Sequence, residues 1–484
     1  MLHNMALRAA AVLLAGLSAT SPPRNAAAAE SDARPVDPAT LARIRDAAMS
    51  SDWAWRELAH LTDEIGPRLS GTAQLTLAVT QVADAMRSLG ARVTLQPAKV
   101  PHWVRGDAQA LVTEYPGRPA GITQRLVLTA LGGSAATPEK GLSARVLVVH
   151  DMAELTAHAG QVRGNIVLFE SHFDQRLADN GDAGDAYGQA GLYRFDGPSA
   201  AAQLGAVAAL VRSIGGADFR LPHTGVTLFK DGQTPIPAAA LAAEDADLVT
   251  RLASAGPVTL TLLLTPRTLP DADSDNVVAD WPGREKPNEY VIVSGHLDSW
   301  DLATGATDDG VGVIGAAAVI KILKELDLHP RRSVRFIGWT NEENGGRGSK
   351  AYFASVAHAL ETQSAAIESD EGAGRAIGIR AAVSKESLPM LKPALEALAP
   401  IGATGLLRRD GEVGADINPL QQAGVPGFAP WVDARHYFDY HHTAADTLDK
   451  VDPQNFRSQV ATMAVLAYFL AELPEPLPRF KTSD

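Results

Sequence analysis

Three strand-like apolar runs in this chain each lead into a polar cluster, and a fourth cluster lies far along the chain. EYVIVSG leads into His296, Leu297 and Asp298, then through SWDLATGAT to the pair Asp308–Asp309. SVRFIGWT leads into Asn341, Glu342 and Glu343, and QSAAIES brings Glu368 and, just beyond it, Asp370. Far along the chain, DARHYFDYHHTAADT supplies His436, His441 and His442. One imidazole among several carboxylates, with a distant second imidazole, is a donor set for two divalent cations that activate water for hydrolysis. In His-x-Asp, a carboxylate hydrogen-bonded to the ring fixes its tautomer and raises its basicity, which makes Asp298 a partner for His296. Adjacent Glu342 and Glu343 can divide labour, one binding metal while the other serves as general base. Singly, these motifs have bland readings: Glu-Glu as solvated surface, Asp308–Asp309 as a helix cap. Their occurrence together, in order and each after a strand, carries the metal reading.

Such clusters need elements that bring them to one place. From Asn276 onward strands alternate with helices: NVVAD, EYVIVSG, SVRFIGWT and QSAAIES are β-rich, while GVGVIGAAAVIKILKEL and SLPMLKPALEALA are helical. This pattern implies an α/β layered domain with a mixed, largely parallel sheet, in which ligands sit beyond the carboxyl ends of the strands. Upstream, residues 39–63 are helical, QLTLAVTQVADAMRSLG is a helix stopped by Gly90, and ARVTLQPAKVP is a strand. Between 118 and 268 short β-rich runs (RLVLTAL, ARVLVVH, NIVLFES) flank an Ala-rich helix, SAAAQLGAVAALV, and TPRTLPDADSDN reads as the linker back. The expected organisation is residues 1–29 as an export signal, 30–117 and 269–484 as two parts of one α/β domain, and 118–268 as a β-rich insert.

The composition narrows the chemistry. Across 484 residues, 43 Lys and Arg stand against 56 Asp and Glu, a net charge of -13, with no basic run. Neither nucleic acid nor an anionic membrane is an expected partner. With no Cys, thiolate nucleophiles, iron–sulfur clusters and Cys-type zinc sites are excluded, so a metal falls to the carboxylates and the 13 His. No G-x-S-x-G elbow, phosphate loop or His-Glu-x-x-His helix is present. At the start, Arg8 precedes AAAVLLAGL, and small residues follow up to Ala29. This reads as a signal cleaved near Ala29, too short for the roughly 20 apolar residues of a spanning helix. A periplasmic or extracellular protein is expected.

The segments GHLDSWDLATGATDDGVGV, GWTNEENGGRGSKAY, AAIESDEG and YHHTAADT together resemble the co-catalytic dizinc exopeptidases, a family of zinc aminopeptidases and glutamate carboxypeptidases. The likeness runs from about residue 40 to the end and implies that the insert is a protease-associated domain. It implies two Zn2+ per chain bridged by Asp308 and a water or hydroxide, with His296, Glu343, Asp370 and His442 as terminal ligands. Glu342 takes the role of general base and Asp298 orients His296; the Asp308–Asp309 peptide is expected to be cis. His442 is preferred to His441 because the family histidine directly precedes Thr or Ser, and Asp370 to Glu368 by the family spacing. Asp416, Trp300 and Tyr437 are candidates for reading a substrate terminus. The implied activity is hydrolysis of short peptides by a dipeptidase or carboxypeptidase, with an aminopeptidase as the alternative. A silent receptor-like protein is the rival of a different class, disfavoured by the complete ligand set. Homodimers are frequent among such relatives.

Overall fold

The computed structural model describes residues 36–481, so the expected export signal and cleavage site near Ala29 lie outside the described residues. Eight strands form the main sheet: β1 (Arg92–Val104), β2 (Arg267–Trp281), β3 (Lys286–His296), β4 (Arg332–Trp339), β5 (Gln363–Glu368), β6 (Ala376–Ala382), β7 (Gly405–Arg408) and β8 (Gly427–Val432). Their order is β1-β2-β4-β3-β5-β8-β6-β7. The central four, β4, β3, β5 and β8, are mutually parallel; β2 and β6 flank them antiparallel. This is the mixed α/β sheet expected from the alternation of elements.

The two faces of the sheet follow from the period of two along a strand. Val291 and Val293 of β3 and Val334 and Phe336 of β4 point to the larger core, with helices α1 (Pro38–Ser50), α2 (Ala73–Leu89), α3 (Val311–Glu325) and α4 (Pro453–Glu472). Ile292, Ile337 and Trp339 point to the other, with Tyr352, Ile417 and Leu420. Helix α3 is buried nearly all round, which its run of Val, Ile and Ala without charge before Lys321 permits. Thr72 caps α2 by accepting from Leu75 N, and Gly90 ends it at φ +89, where a side chain would be strained. Among the described residues no helix is long and apolar enough to cross a membrane.

A second eight-stranded sheet is built from residues between Ala108 and Leu264. It begins at the strand Ala108–Glu114, rather than near 118, because that strand pairs antiparallel with Thr259–Leu264. Two other expectations are corrected. The stretch read as a linker, TPRTLPDADSDN, lies almost wholly in β2, whose first half pairs with β1 in a long two-stranded ribbon. Solvent on the ribbon's faces tolerates Asp and Pro without the apolar alternation of a core strand. The Ala-rich segment is a helix only over Gly197–Gln203; Gly205 turns the chain at φ +90, and Ala208–Arg212 is a buried strand. An apolar run flanked by parallel neighbours satisfies a strand as well as a helix, and periodicity does not separate the two.

Candidate metal centre

Because β3, β4, β5 and β8 are parallel, their carboxyl ends lie along one edge, and each delivers its cluster there. β3 ends in His296, and β4 runs into Glu342 and Glu343; Asp370 follows β5, and the segment after β8 carries His441 and His442. Asp308 sits at the centre. Its Oδ1 is 3.2 Å from His296 Nε2, which is itself 3.4 Å from Asp370 Oδ1. Its Oδ2 is 3.2 Å from His442 Nε2, which is 3.0 Å from Glu343 Oε2. The carboxylate therefore faces two separate imidazole–carboxylate pairs, one with each oxygen. The Asp308–Asp309 peptide is cis. Asp309 also lies near His296 and Asp370, but its oxygens accept from His296 N and Gly312 N, each at 3.0 Å, so it serves the backbone. Glu368 is likewise occupied, accepting from Asp416 N and Ile417 N.

The surrounding bonds set each ligand's orientation. Trp300 N–H donates to Glu343 Oε1 at 3.0 Å, leaving Oε2 for the centre. His296 Nδ1 is 3.0 Å from the backbone carbonyl of Asp298 but 3.9 Å from its carboxylate. The expected carboxylate–imidazole hydrogen bond is thus replaced by a carbonyl one. The Asp298 carboxylate is drawn instead to the turn after β4, accepting from Glu342 N at 3.0 Å, Glu343 N at 3.3 Å and the Ser70 hydroxyl. It fixes the two glutamates rather than the histidine. His442 occupies the left-handed region, φ +61, which costs a non-glycine residue about 1–2 kcal/mol. Two bonds to Thr224 hold it there: Thr224 N–H donates to His442 O at 2.8 Å, and His442 Nδ1 lies 3.2 Å from Thr224 O.

Two residues the sequence reading passed over secure the loop between β3 and α3. Asp446 accepts from Thr307 N, the Thr307 hydroxyl and Asp308 N. Burial and the nearby charge of Asp308 push its carboxyl up to about 6. It stands in the recognised YHHTAADT segment, and proximity to the histidines was its only signal. Arg68, fully buried, donates to four carbonyls, those of Gly66, Leu297, Thr304 and Gly305. Burial lowers its pKa to about 10, which leaves it charged at neutral pH. Nothing near it in sequence announces this role. Arg68→Ala is expected to lower stability by about 3–5 kcal/mol, since it strands buried acceptors and uncovers Asp298 and Asp446. Denaturant unfolding would show the loss as a lower midpoint; an unchanged midpoint would contradict it.

Comparison with known proteins supplies the family. The model of peptidase family M28 matches residues 276–467. Carboxypeptidase Q from Homo sapiens is 36% identical over 428 residues, covering 88% of this chain and 87% of that protein. The Xenopus laevis carboxypeptidase Q matches at 36% over the same shares. The chain belongs to peptidase family M28. A crystal structure of an M28 peptidase precursor from Shewanella amazonensis SB2B superposes with a TM-score of 0.86 at 35% identity, covering 92% of this chain and 99% of that one. The zinc aminopeptidase BSAP of Bacillus subtilis, at 20% identity and a TM-score of 0.61 over 86% of this chain and 95% of that one, shares the fold.

As an M28 peptidase the protein is a metallo-exopeptidase, and its centre opens into a cavity of about 620 Å³. Glu342, Asp370 and Tyr437 line this cavity beside Asp308, Glu343 and His442. Of the other terminus-reading candidates, Asp416 is buried and does not line the cavity, although its chain neighbours Val413, Gly414 and Ala415 do. The Trp300 ring packs edge-on against Trp103 and His442, in a cluster with Leu69 and Ala130. His436 points away, bonded to Asp439 at the surface. His441 stacks on His442 with centroids 3.6 Å apart, and its Nε2 is 3.3 Å from Asp308 Oδ2. Only His442 also meets Glu343. Burial alone would raise Asp308, but the imidazoles of His441, His296 and His442 hold it well below the usual carboxylate range. Burial, with the charges of Asp370 and Glu343, pushes Glu342 well up.

Proposed function

We propose that this M28 peptidase is an exported dizinc exopeptidase that hydrolyses short peptides, dipeptides above all, acting as a carboxypeptidase in line with its relatives' name, carboxypeptidase Q. One observation carries the dizinc reading: the single buried carboxylate of Asp308 turns its two oxygens toward two imidazole–carboxylate pairs. The residues suit the ions. Asp308 Oδ2 is buried without a hydrogen-bond partner, so a cation is what would satisfy it. The donors are oxygen and imidazole, a set that zinc accepts in four-coordinate sites. His296 and Asp370 would hold one ion, Glu343 and His442 the other, with Asp308 shared.

Bound there, the ions would lower the pKa of a water toward neutrality and polarise the scissile carbonyl. The protein's own part falls to Glu342. Its carboxylate lines the cavity, and its backbone is pinned by Asp298, so its position is set while its oxygens remain available. Raised by burial and neighbouring acids, it is a matched base for the proton of the attacking water and then the donor of that proton to the leaving amine nitrogen. Glu343, with one oxygen held by Trp300 N–H, is confined to binding.

Zinc-reconstituted protein lacking residues 1–29 is expected to contain about two zinc per chain and to cleave free dipeptides. Elemental analysis and a dipeptide panel test this together. Near-zero metal in active protein would overturn the dizinc scheme, and metal-loaded protein inert toward every dipeptide would overturn the substrate class. Loss of cleavage on blocking the amino group alone would move the assignment to an aminopeptidase.

A further inference from the structure

The cavity lies between two walls. Asp308, Glu343 and His442 belong to the wall built at the carboxyl edge of the main sheet, whereas Gly184, Asp185 and Tyr187 belong to the other, built by the second module, residues 108–264. At one point the walls meet. Asp185 Oδ1 lies 2.9 Å from Arg409 Nη2, and both residues line the cavity. Beside them the backbone of one wall nearly reaches the other, since a Cβ on Gly184 would stand 3.5 Å from Glu371 Oε1. Among the described residues, Asp185–Arg409 is the one ion pair that joins the second module to the rest of the chain. The Arg409 side chain is 34% exposed and that of Asp185 48%, so the pair stands on the rim of the cavity, facing solvent.

Both partners project from fixed backbone. Arg409 follows β7 directly, and its N–H donates to Ala381 O at 2.9 Å. Asp185 lies in the first turn of the helix Ala183–Phe195, where the free N–H groups favour an acid. That helix is seated on the segment that leads to His441 and His442. Ala183 and Ala186 pack with Ala434 and Phe438, and the Tyr187 ring stacks on Phe438 with centroids 4.6 Å apart. Parting the walls at this point therefore takes new rotamers of two exposed side chains and no movement of either backbone. An exposed pair of this kind adds little to stability, so its effect lies in where it stands. We propose that the Asp185–Arg409 pair is a side-chain gate on the cavity rim that sets the length of peptide accepted. A peptide lying wholly inside leaves the pair closed, and one further residue directed at this rim has to part it. Asp185 and Arg409 thereby determine specificity by length. This rests on the peptidase reading above but is tested apart from it.

The test is calorimetric binding of non-cleavable alanine peptide analogues with a reduced peptide bond to the zinc-loaded chain. One analogue has two residues, and two have three, extended at the amino or at the carboxyl end. Wild-type protein is expected to bind at least one of the longer analogues more weakly than the short one. Asp185→Ser and Arg409→Ser should each shrink that length penalty by about 1.5–5-fold, what opening an exposed ion pair costs, with zinc content unchanged. The charge-reversed pair Asp185→Arg with Arg409→Asp should restore the penalty in part, because an arginine is less favoured in a first helical turn. Equal affinities for all three analogues in the wild type, or an undiminished penalty in either single variant, would overturn the proposal. Opposite changes in the two single variants would trace the effect to charge and overturn it as well, as would a reversed pair that restores nothing. Should the variants fail to fold, salt decides on the wild type: 0.5 M should shrink the penalty as the substitutions do, and a penalty indifferent to salt would sink the gate. A length penalty that behaves as expected in protein that cleaves no peptide would remove the peptidase reading and leave the gate. Dipeptide cleavage without any length penalty would do the reverse.

Discussion

Glu342→Gln is expected to lower kcat by about 10²–10⁴-fold while zinc stays bound, the usual contribution of a positioned general base. The substitution changes almost nothing else. Glutamine has the same shape, and the backbone N–H that anchors this residue to Asp298 is untouched. The groups assigned to metal binding, Glu343, Asp370, His296 and His442, keep their geometry. What is lost is the capacity to take a proton at a carboxylate oxygen facing the cavity. Removing one negative charge beside Asp370 and Glu343 also relieves repulsion, so the metal-free variant should be no less stable than wild type. Steady-state kinetics with elemental analysis on the same sample check both halves. Near-normal turnover by the metal-loaded variant would remove Glu342 from the mechanism.

Chelation is expected to abolish hydrolysis and to make stability fall as pH rises from about 4 to about 7. The sign follows from the groups at the centre. Burial and the charge of Asp308 push Glu343 up to about 7 and Asp446 to about 6, from ordinary values of 4.5 and 3.8. Over that window the folded, metal-free protein holds protons that the unfolded chain has released, so stability declines with rising pH. His442 and His296 act in the same direction. Their pKa values are raised against the opposing effect of burial, by Tyr187, Glu343 and Asp308 for the first and by Asp308 and Asp370 for the second. Their stabilising protonation is complete below the ordinary imidazole pKa and lost above it. Two groups of the centre oppose. Asp308, held low, contributes stability above its ordinary value that disappears on further acidification. His441, held below the ordinary imidazole range by burial and by His442, favours the folded state as pH rises through that range. The net fall rests on the larger number of groups held up. Bound cations replace those protons, and a ligand at 1,000 times its Kd adds about 4 kcal/mol. The gap in Tm between zinc-loaded and chelated protein should therefore widen between pH 5 and pH 7.5 in scanning calorimetry. A gap that stays constant or narrows would refute this account.

Much of the centre was legible because its ligands follow strands. A strand reads from its apolar run, and parallel neighbours put their carboxyl ends on one edge, so His296 and the pair Glu342–Glu343 stood out by position, whereas Asp370 over Glu368 needed the family spacing. The choice of His442 over His441 needed the family pattern, and the contact with Glu343 agrees with it. The fold of the second module was less legible. Short runs such as AALVR suit helix or strand equally, and the exposed ribbon of β1 and β2 carries no apolar alternation.

By itself, then, the sequence determined the chemistry on offer. With no cysteine, with an imidazole and acids after three strands and a histidine pair farther on, the sequence favoured oxygen and nitrogen ligands for a hydrolytic metal site over a silent receptor-like protein. The tertiary structure decided how those groups are held and what else faces them. Asp298 clamps the glutamates rather than the histidine, Asp446 and Arg68 secure the loop that carries Asp308, and Thr224 and Arg194 reach His442 from more than two hundred residues away. The reason is physical. Ligand identity is a property of side-chain type, read one residue at a time, whereas orientation depends on hydrogen bonds between segments whose meeting only the packed chain brings about.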